Sequence, residues 1–354
     1  YEILIGLVGS EMCIRDSTNM GYIKRQPVDT YQTQHRGGKG IKGMTRREED
    51  IAQTMFTCSS HDYIMFFTSL GRAYRLKGYE IPEGSRSSKG MNIVNILPLT
   101  AEEKVTAMIR VPDFGTEDAY LCMVTKNGII KRTELDAYKN IRKNGIAAIN
   151  LDEGDELCWV KLTDGEQQLM IATKKGMCIS FKEDDARSIG RTARGVKAIT
   201  LAEGDCVAGM CVLDPAKKVL TVSETGYGRR SDVSNYRVQS RGGKGLINYH
   251  TKQYGDVAAI TMVSEDEDVI LIASDGVIIR ISAGDISEFA RPSKGVRVMR
   301  ISEGEKVMTL SVTPKEEEKA EIAEGEEPAE KADSADTAEP ANLSLIHISE
   351  PTRP

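Results

Sequence analysis

The residues of this chain best suited to holding an anion are Gln34, His35, Arg36, Gly37, Gly38, Lys39 and Gly40, which place two cations and three glycines in seven positions. Glycine lets a backbone bend sharply and approach a ligand closely, because no Cβ intervenes. Successive N–H groups in such a turn form an anion-binding concavity, and Arg and Lys add charge. One turn of this kind could equally be a solvated basic loop, so its meaning depends on repetition. It does repeat. Arg86 and Lys89 precede Gly90, Arg142 and Lys143 precede Gly145, and Arg191 and Arg194 precede Gly195. Arg241 and Lys244 precede Gly245 in Gln239–Gly245, and Arg291 and Lys294 precede Gly295. The closing glycines, from Gly40 to Gly295, are spaced by 50, 55, 50, 50 and 50 residues. A second basic set, Lys24, Arg25, Arg75, Lys131, Arg132, Arg229, Arg230 and Arg280, recurs in another phase of the same period. Cations in register suggest a positive belt that contacts phosphate backbones, a mode tolerant of sequence and steeply dependent on salt. A curved belt further implies bent or wrapped duplex.

Other chemistries find little support. His35, His61 and His250 fall in different phases of the repeat, and no nucleophile–base pair follows from spacing. The glycines lack the phosphate-loop spacing of nucleotide-binding proteins. Cys58, Cys122, Cys158, Cys178, Cys206 and Cys211 lie in apolar runs without the paired spacing of zinc sites, which reads as buried structural thiols in a reducing compartment. No metal site is expected. Trp159, Tyr31, Tyr79 and Tyr138 read as packing residues.

The elements that position the turns are hairpins. Glycines 21, 71, 128, 176, 226 and 276 are separated by 50, 57, 48, 50 and 50 residues, and flanks such as Val269–Ala273 before and Val277–Ile281 after are apolar and β-branched. Asn127-Gly128 and Asp275-Gly276 suit the positive-φ turn joining antiparallel strands. Runs apolar on both faces, such as Ala119–Val124, Leu169–Thr173 and Val269–Ala273, suggest strands covered on both sides. An acidic turn then precedes the next strand at Glu153-Gly154-Asp155, Glu203-Gly204-Asp205 and Glu303-Gly304-Glu305, with Glu102-Glu103 a looser match. Six strand-rich repeats predict an all-β, propeller-like array, in which radial closure protects sheet edges. Helical content should be low, confined to short segments such as Arg46–Met55.

Both ends are set apart. The oligonucleotide GGC-TCG-GAG-ATG-TGT-ATA-AGA-GAC-AG translates as residues 9–16 and leads into Ser17, and its reverse complement translates as residues 343–351. Residues 1–17 and 343–354 are therefore read as translated sequencing adapter. On this reading the first hairpin lacks its opening strand. The formal charge of −6 divides into −2 for residues 1–17, +4 for 18–314, −8 for 315–342 and 0 for 343–354. A mildly basic repeat body is followed by an acidic tail that reads as disordered. No apolar run is long enough to span a membrane.

Gln34–Gly40 resembles the signature box of the C-terminal domain of bacterial DNA gyrase A, a type IIA topoisomerase protein, with His35 in place of the family's usual Arg. The six repeats resemble that domain's blades over residues 18–314. The resemblance implies a six-bladed β-pinwheel that wraps duplex DNA around a basic rim. The rest of the enzyme would then convert the wrapped crossing into negative supercoils by strand passage. It further implies partnership with the remainder of gyrase A and with gyrase B in a heterotetramer, and a cytoplasmic, nucleoid-associated location. ATP and Mg2+ would belong to other domains, with no cofactor here, and both the catalytic tyrosine and the ATPase site would lie outside this segment. The DNA-binding candidates are the box and the two basic sets named above. The alternatives are the corresponding domain of topoisomerase IV and a propeller scaffold that binds protein.

Overall fold

The computed structural model describes residues 12–18, 21–27, 41–42, 52–85 and 88–315. They fall in one compact unit, Tyr1–Glu316.

Each repeat begins with a hairpin whose turn is set by glycine. In the third, strands Tyr120–Thr125 and Ile129–Glu134 pair antiparallel. The Gly128 N–H donates to the Thr125 carbonyl at 3.0 Å, and Gly128 adopts φ of 80°. This is a three-residue loop ending in a left-handed residue, for which glycine is the cheapest choice. Positive φ recurs at all six hairpin glycines, and the same N–H to carbonyl bond closes the turns at Gly71, Gly176, Gly226 and Gly276.

Among the described residues the hairpins build six four-stranded sheets in one order: inner strand, two hairpin strands, short edge strand. Tyr120–Thr125 pairs outward with Ile129–Glu134 and inward with Leu157–Thr163. The edge strand is supplied by the following repeat, Val196–Lys197 here. In the same way Met91–Asn92, Ile146–Ala147, Leu246–Ile247 and Val296–Arg297 cross to the preceding repeat's sheet. Ile41–Lys42, from the first repeat, pairs with Val277–Ser282 of the last. The inner strands Ala52–Ser59, Val105–Val111, Leu157–Thr163, Val207–Leu213, Val257–Val263 and Val307–Pro314 neighbour one another in a closed cycle. The fold is all-β and propeller-like, closed at both its centre and its edge.

The cores lie between faces of successive sheets. Met65 and Phe67 of one sheet pack with Leu121, Met123 and Leu135 of the next, all buried. Cys122, Val124 and Ile130 then pack with Leu169, Ile171 and Ile179. Hairpin strands buried on both faces explain the continuous apolar runs, and each full burial stabilises by about 1.5–3 kcal/mol.

Three expectations need correction. Ala52–Ser59 is a strand, not part of a helix over Arg46–Met55; pairing along its whole length outweighs a weak local helix preference. Met12–Thr18 occupies the opening-strand position, paired with Tyr22–Pro27 on one side and Ala52–Ser59 on the other. A slot flanked by two strands recruits an extended segment through backbone groups alone, whatever its side chains. Tyr79 is 53% exposed rather than packed, whereas Tyr138 is fully buried; Tyr31 lies outside the described residues.

Candidate nucleic-acid interface

The outermost element of every sheet is the two-residue edge strand, and the basic turn leads directly into it. The closing glycine of each turn is placed by close backbone approach. A Cβ on Gly90 would lie 2.6 Å from the Ile23 carbonyl oxygen and 3.1 Å from the Lys24 Cβ, and its φ is +77°. Gly195 meets the Ile130 carbonyl oxygen in the same way, at 2.6 Å. The turn glycine thus docks on the preceding repeat's hairpin, leaving the turn's other residues at the edge.

The hairpin cations are not on that edge. Lys24, Lys131, Arg229 and Arg280 are at most 2% exposed, and Arg132 and Arg230 are also buried. Lys24 Nζ donates to the Ser85 and Ser88 carbonyls at 3.0 and 3.1 Å, bracing the next repeat's basic turn from beneath. Lys131 Nζ donates to the Ala148 carbonyl at 2.6 Å and also to that of Arg191. Arg229 donates to the Asn248 carbonyl. Arg280 pairs with buried Asp268 at 2.9 Å and donates to the Pro314 carbonyl. Arg132 faces Glu183 at 3.6 Å and lies over the Tyr120 ring; Arg230 donates to the Ile286 carbonyl and pairs with Glu265. Arg25 and Arg75 are partly exposed but are tied to the Ile81 and Lys139 carbonyls. The expectation that this set contacts phosphate is corrected for the six buried members. They brace the turns, and a cation sealed from solvent cannot reach a phosphate. Burial, with Arg191 nearby, pushes the Lys131 ammonium down to about 7.

The turn cations divide into three groups. Arg191, Arg241 and Arg291 are half-buried clamps, each donating Nη1 to a carbonyl of the preceding repeat's edge strand: Ala147 at 3.3 Å, Lys197 at 3.1 Å and Ile247 at 2.5 Å. Arg241 and Arg291 also donate Nε to the Asp185 and Asn235 carbonyls. Arg142, Lys143, Arg194 and Lys244 are exposed, but Arg194 forms a two-pronged pair with Asp152, whose carboxyl that guanidinium holds below the usual range. Lys89 and Lys294 are partly exposed and rest on the rings of Tyr22 and Tyr227, 3.9 and 3.7 Å from the centroids. Gln34, His35, Arg36, Gly37, Gly38, Lys39, Gly40 and Arg86 lie outside the described residues. Ile41, which follows the box, pairs with Ile278 at the edge of the last sheet.

Two exposed edge-strand cations were missed from sequence, Lys197 and Arg297, each two residues after a turn glycine. Their signal was available, since Lys42 shares the position, but the other repeats place Asn92, Ala147 and Ile247 there.

The acidic turns have a structural task. Asp155 accepts from the Asn127 and Glu156 backbone N–H groups, and Asp205 from those of Lys175 and Cys206. Each carboxylate caps the preceding hairpin turn, so negative charge is held in a phase separate from the basic turns. Cys58, Cys122, Cys158, Cys178, Cys206 and Cys211 are free thiols; burial pushes Cys122, Cys178 and Cys211 up to about 12, which leaves them poor nucleophiles. Among the described residues no cluster of His, Cys, Asp or Glu could hold a metal ion, and no helix is long and apolar enough to cross a membrane.

The family model described as the DNA gyrase C-terminal domain, β-propeller, matches residues 18–59, 62–112, 119–164, 167–210, 217–264 and 267–314. The chain belongs to this family. Its six matched segments coincide with the repeats read from the glycine spacing. DNA gyrase A of Staphylococcus epidermidis (strain ATCC 12228) is 44% identical over 315 residues, 88% of this chain and 35% of that protein. DNA gyrase A of Staphylococcus aureus (strain NCTC 8325) is 42% identical over 315 residues, 88% of this chain and 36% of that protein. The chain therefore spans about a third of the length of these curated gyrase relatives. Among solved structures, a DNA gyrase A C-terminal domain superposes with a TM-score of 0.77 at 27% identity, covering 85% of this chain and 99% of that one. The C-terminal domain of a DNA topoisomerase IV superposes with a TM-score of 0.67 at 25% identity, covering 87% and 95%.

Proposed function

We propose that this gyrase C-terminal domain is a six-bladed pinwheel that wraps duplex DNA around its outer edge. The carrying observation is the phase separation of charge. Exposed Arg142, Lys143, Lys197, Lys244 and Arg297 recur on turns and edge strands, while the capping carboxylates Asp155 and Asp205 are held at the hairpin turns. A ring of cations without a groove-reading helix favours backbone contact and bending over base recognition. The exchanged edge strands, with the first repeat's strand on the last sheet, support a closed pinwheel that can hold a continuous curved path. In the complete enzyme, the wrapped segment would be presented for ATP-driven strand passage that introduces negative supercoils. The partners would be the remainder of gyrase A and the gyrase B protein, in the bacterial cytoplasm at the nucleoid.

The test is ligation of nicked circles in the presence of the domain, followed by topoisomer separation. A shift of the linking-number distribution that grows with protein is expected. Tight binding with an unshifted distribution would refute wrapping, and protein capture without salt-sensitive DNA affinity would favour a protein-binding scaffold.

A further inference from the structure

At the edge of each of the first five sheets three positions converge: the residue after the hairpin glycine, the residue before the turn glycine, and the second residue of the edge strand. In the fifth sheet these are Tyr227, Lys294 and Arg297. Arg297 lies directly opposite Tyr227 in the strand ladder and donates Nη2 to its hydroxyl at 2.7 Å. Lys294 Nζ lies 3.7 Å from the Tyr227 ring centroid, and the Arg297 guanidinium carbon lies 5.1 Å from it. The turn is pinned from behind by the Tyr249 hydroxyl, which donates to the Lys294 carbonyl at 2.9 Å.

Neither cation has a carboxylate partner among the described residues. The equivalent positions elsewhere are weaker. The third sheet has Ile129 and Lys197, with Arg194 already neutralised by Asp152. The second has Arg72, already paired with Glu103, beside Asn144 and Ala147, and the fourth has Met177, Lys244 and Ile247. The first has Lys89 over the Tyr22 ring but Asn92 where the fifth has Arg297, so it offers one cation rather than two. Two unneutralised cations over one aromatic face are pre-organised, so less side-chain entropy remains to be lost when an anion arrives.

We propose that Lys294 and Arg297, aligned by Tyr227, form a phosphate clamp for duplex DNA at the edge of the fifth sheet, a fixed point of the wrapped path. The inference rests on the wrapping reading and says which part of the edge holds most firmly. Position supports it: the edge strand of the next sheet is Ile41–Lys42, so the clamp's edge is followed around the array by the edge strand supplied by the first repeat. The Tyr227 hydroxyl is also shifted below its ordinary pKa, by the Arg297 hydrogen bond and then by Lys294, as expected in a local positive field.

Duplex affinity is measured by fluorescence anisotropy across a salt series for the wild-type chain, for Lys294→Ala with Arg297→Ala, and for Arg142→Ala with Lys143→Ala. The last pair removes equal charge from an exposed turn without an aromatic wall. Loss of two phosphate contacts lowers the slope of log affinity against log salt by about 1.8 and weakens binding about 60-fold at 0.1 M salt. The clamp variant is expected to show this, and the control less than half the change in slope. Lys294→Gln with Arg297→Gln, which keeps polar contacts at the edge, is expected to match the alanine pair. An unchanged slope in the clamp variants, or equal losses in clamp and control, overturns the clamp. A wild-type chain with no salt-dependent affinity overturns the wrapping reading itself.

Discussion

Replacing Lys131 with Met separates bracing from binding, because the structure assigns this cation wholly to bracing. Its side chain is fully buried, and Nζ donates to the Ala148 and Arg191 carbonyls. Burial pushes the ammonium from 10.5 down to about 7. In the unfolded chain the group holds its proton up to about 10.4, so between pH 7 and that value the unfolded state binds more protons than the folded state. Stability attributable to this group therefore rises with pH across that window and is flat below pH 7, where both states are protonated. At about 1.36 kcal/mol per unit, the full effect is on the order of 5 kcal/mol. Carbonyl bonds that favour the ammonium reduce it, so roughly half is a reasonable working magnitude.

Methionine fills similar volume without a charge. After the change the Ala148 carbonyl keeps the Tyr138 hydroxyl at 3.2 Å, while the Arg191 carbonyl loses a donor, at a cost of about 1–3 kcal/mol. Urea melts from pH 6 to 9.5 are the assay. The wild-type chain should gain stability relative to Lys131→Met as pH rises above 7, while the salt slope of DNA affinity stays the same in both. Parallel pH profiles would refute the buried, depressed ammonium. A slope lower by about 0.9 in the variant would show that Lys131 contacts phosphate after all.

Other perturbations test the remaining structural claims. Gly90→Ala places a Cβ 2.6 Å from the Ile23 carbonyl oxygen at φ of +77°, whereas Gly154→Ala has φ of +75° with nothing within 4 Å. Gly154→Ala should cost about 1–2 kcal/mol from backbone conformation alone and Gly90→Ala clearly more, read as urea midpoints. Arg280→Met removes the guanidinium facing buried Asp268 and should cost about 3–5 kcal/mol in the same assay. Asp152→Asn releases exposed Arg194; thermal stability should barely move, while DNA affinity at low salt should rise. Reading the genomic locus without adapters should replace residues 1–17 and 343–354 with different sequence.

The repeat was legible because its spacing is enforced by backbone geometry. Glycines at φ of +80° for Gly128 and +77° for Gly90 cannot be exchanged cheaply, and Gly90 also abuts a carbonyl of the neighbouring repeat. Fifty-residue periodicity therefore survives in the sequence while side chains drift. Strand exchange left no such mark. A two-residue edge strand has no pattern of its own, and its partner lies in the preceding repeat's hairpin.

The hairpin and turn cations share one period, and period alone cannot separate a buried brace from an exposed contact. Comparison of equivalent positions separates part of the set. Lys24, Lys131 and Arg229 stand three residues after their hairpin glycines, where the other repeats bury Tyr74, Ile179 and Ile279. A position that alternates between Lys or Arg and Ile or Tyr is a core position that tolerates a cation wherever carbonyls can satisfy it. The edge-strand position occupied by Lys197 and Arg297 alternates instead with Asn92, Ala147 and exposed Ile247, as a surface position does. Comparing equivalent positions across the six repeats therefore marks Lys24, Lys131 and Arg229 as braces, whereas Arg132, Arg230 and Arg280, at a position the other repeats fill with Arg25, Arg75 and Ser180, are recognised as buried only from the packing.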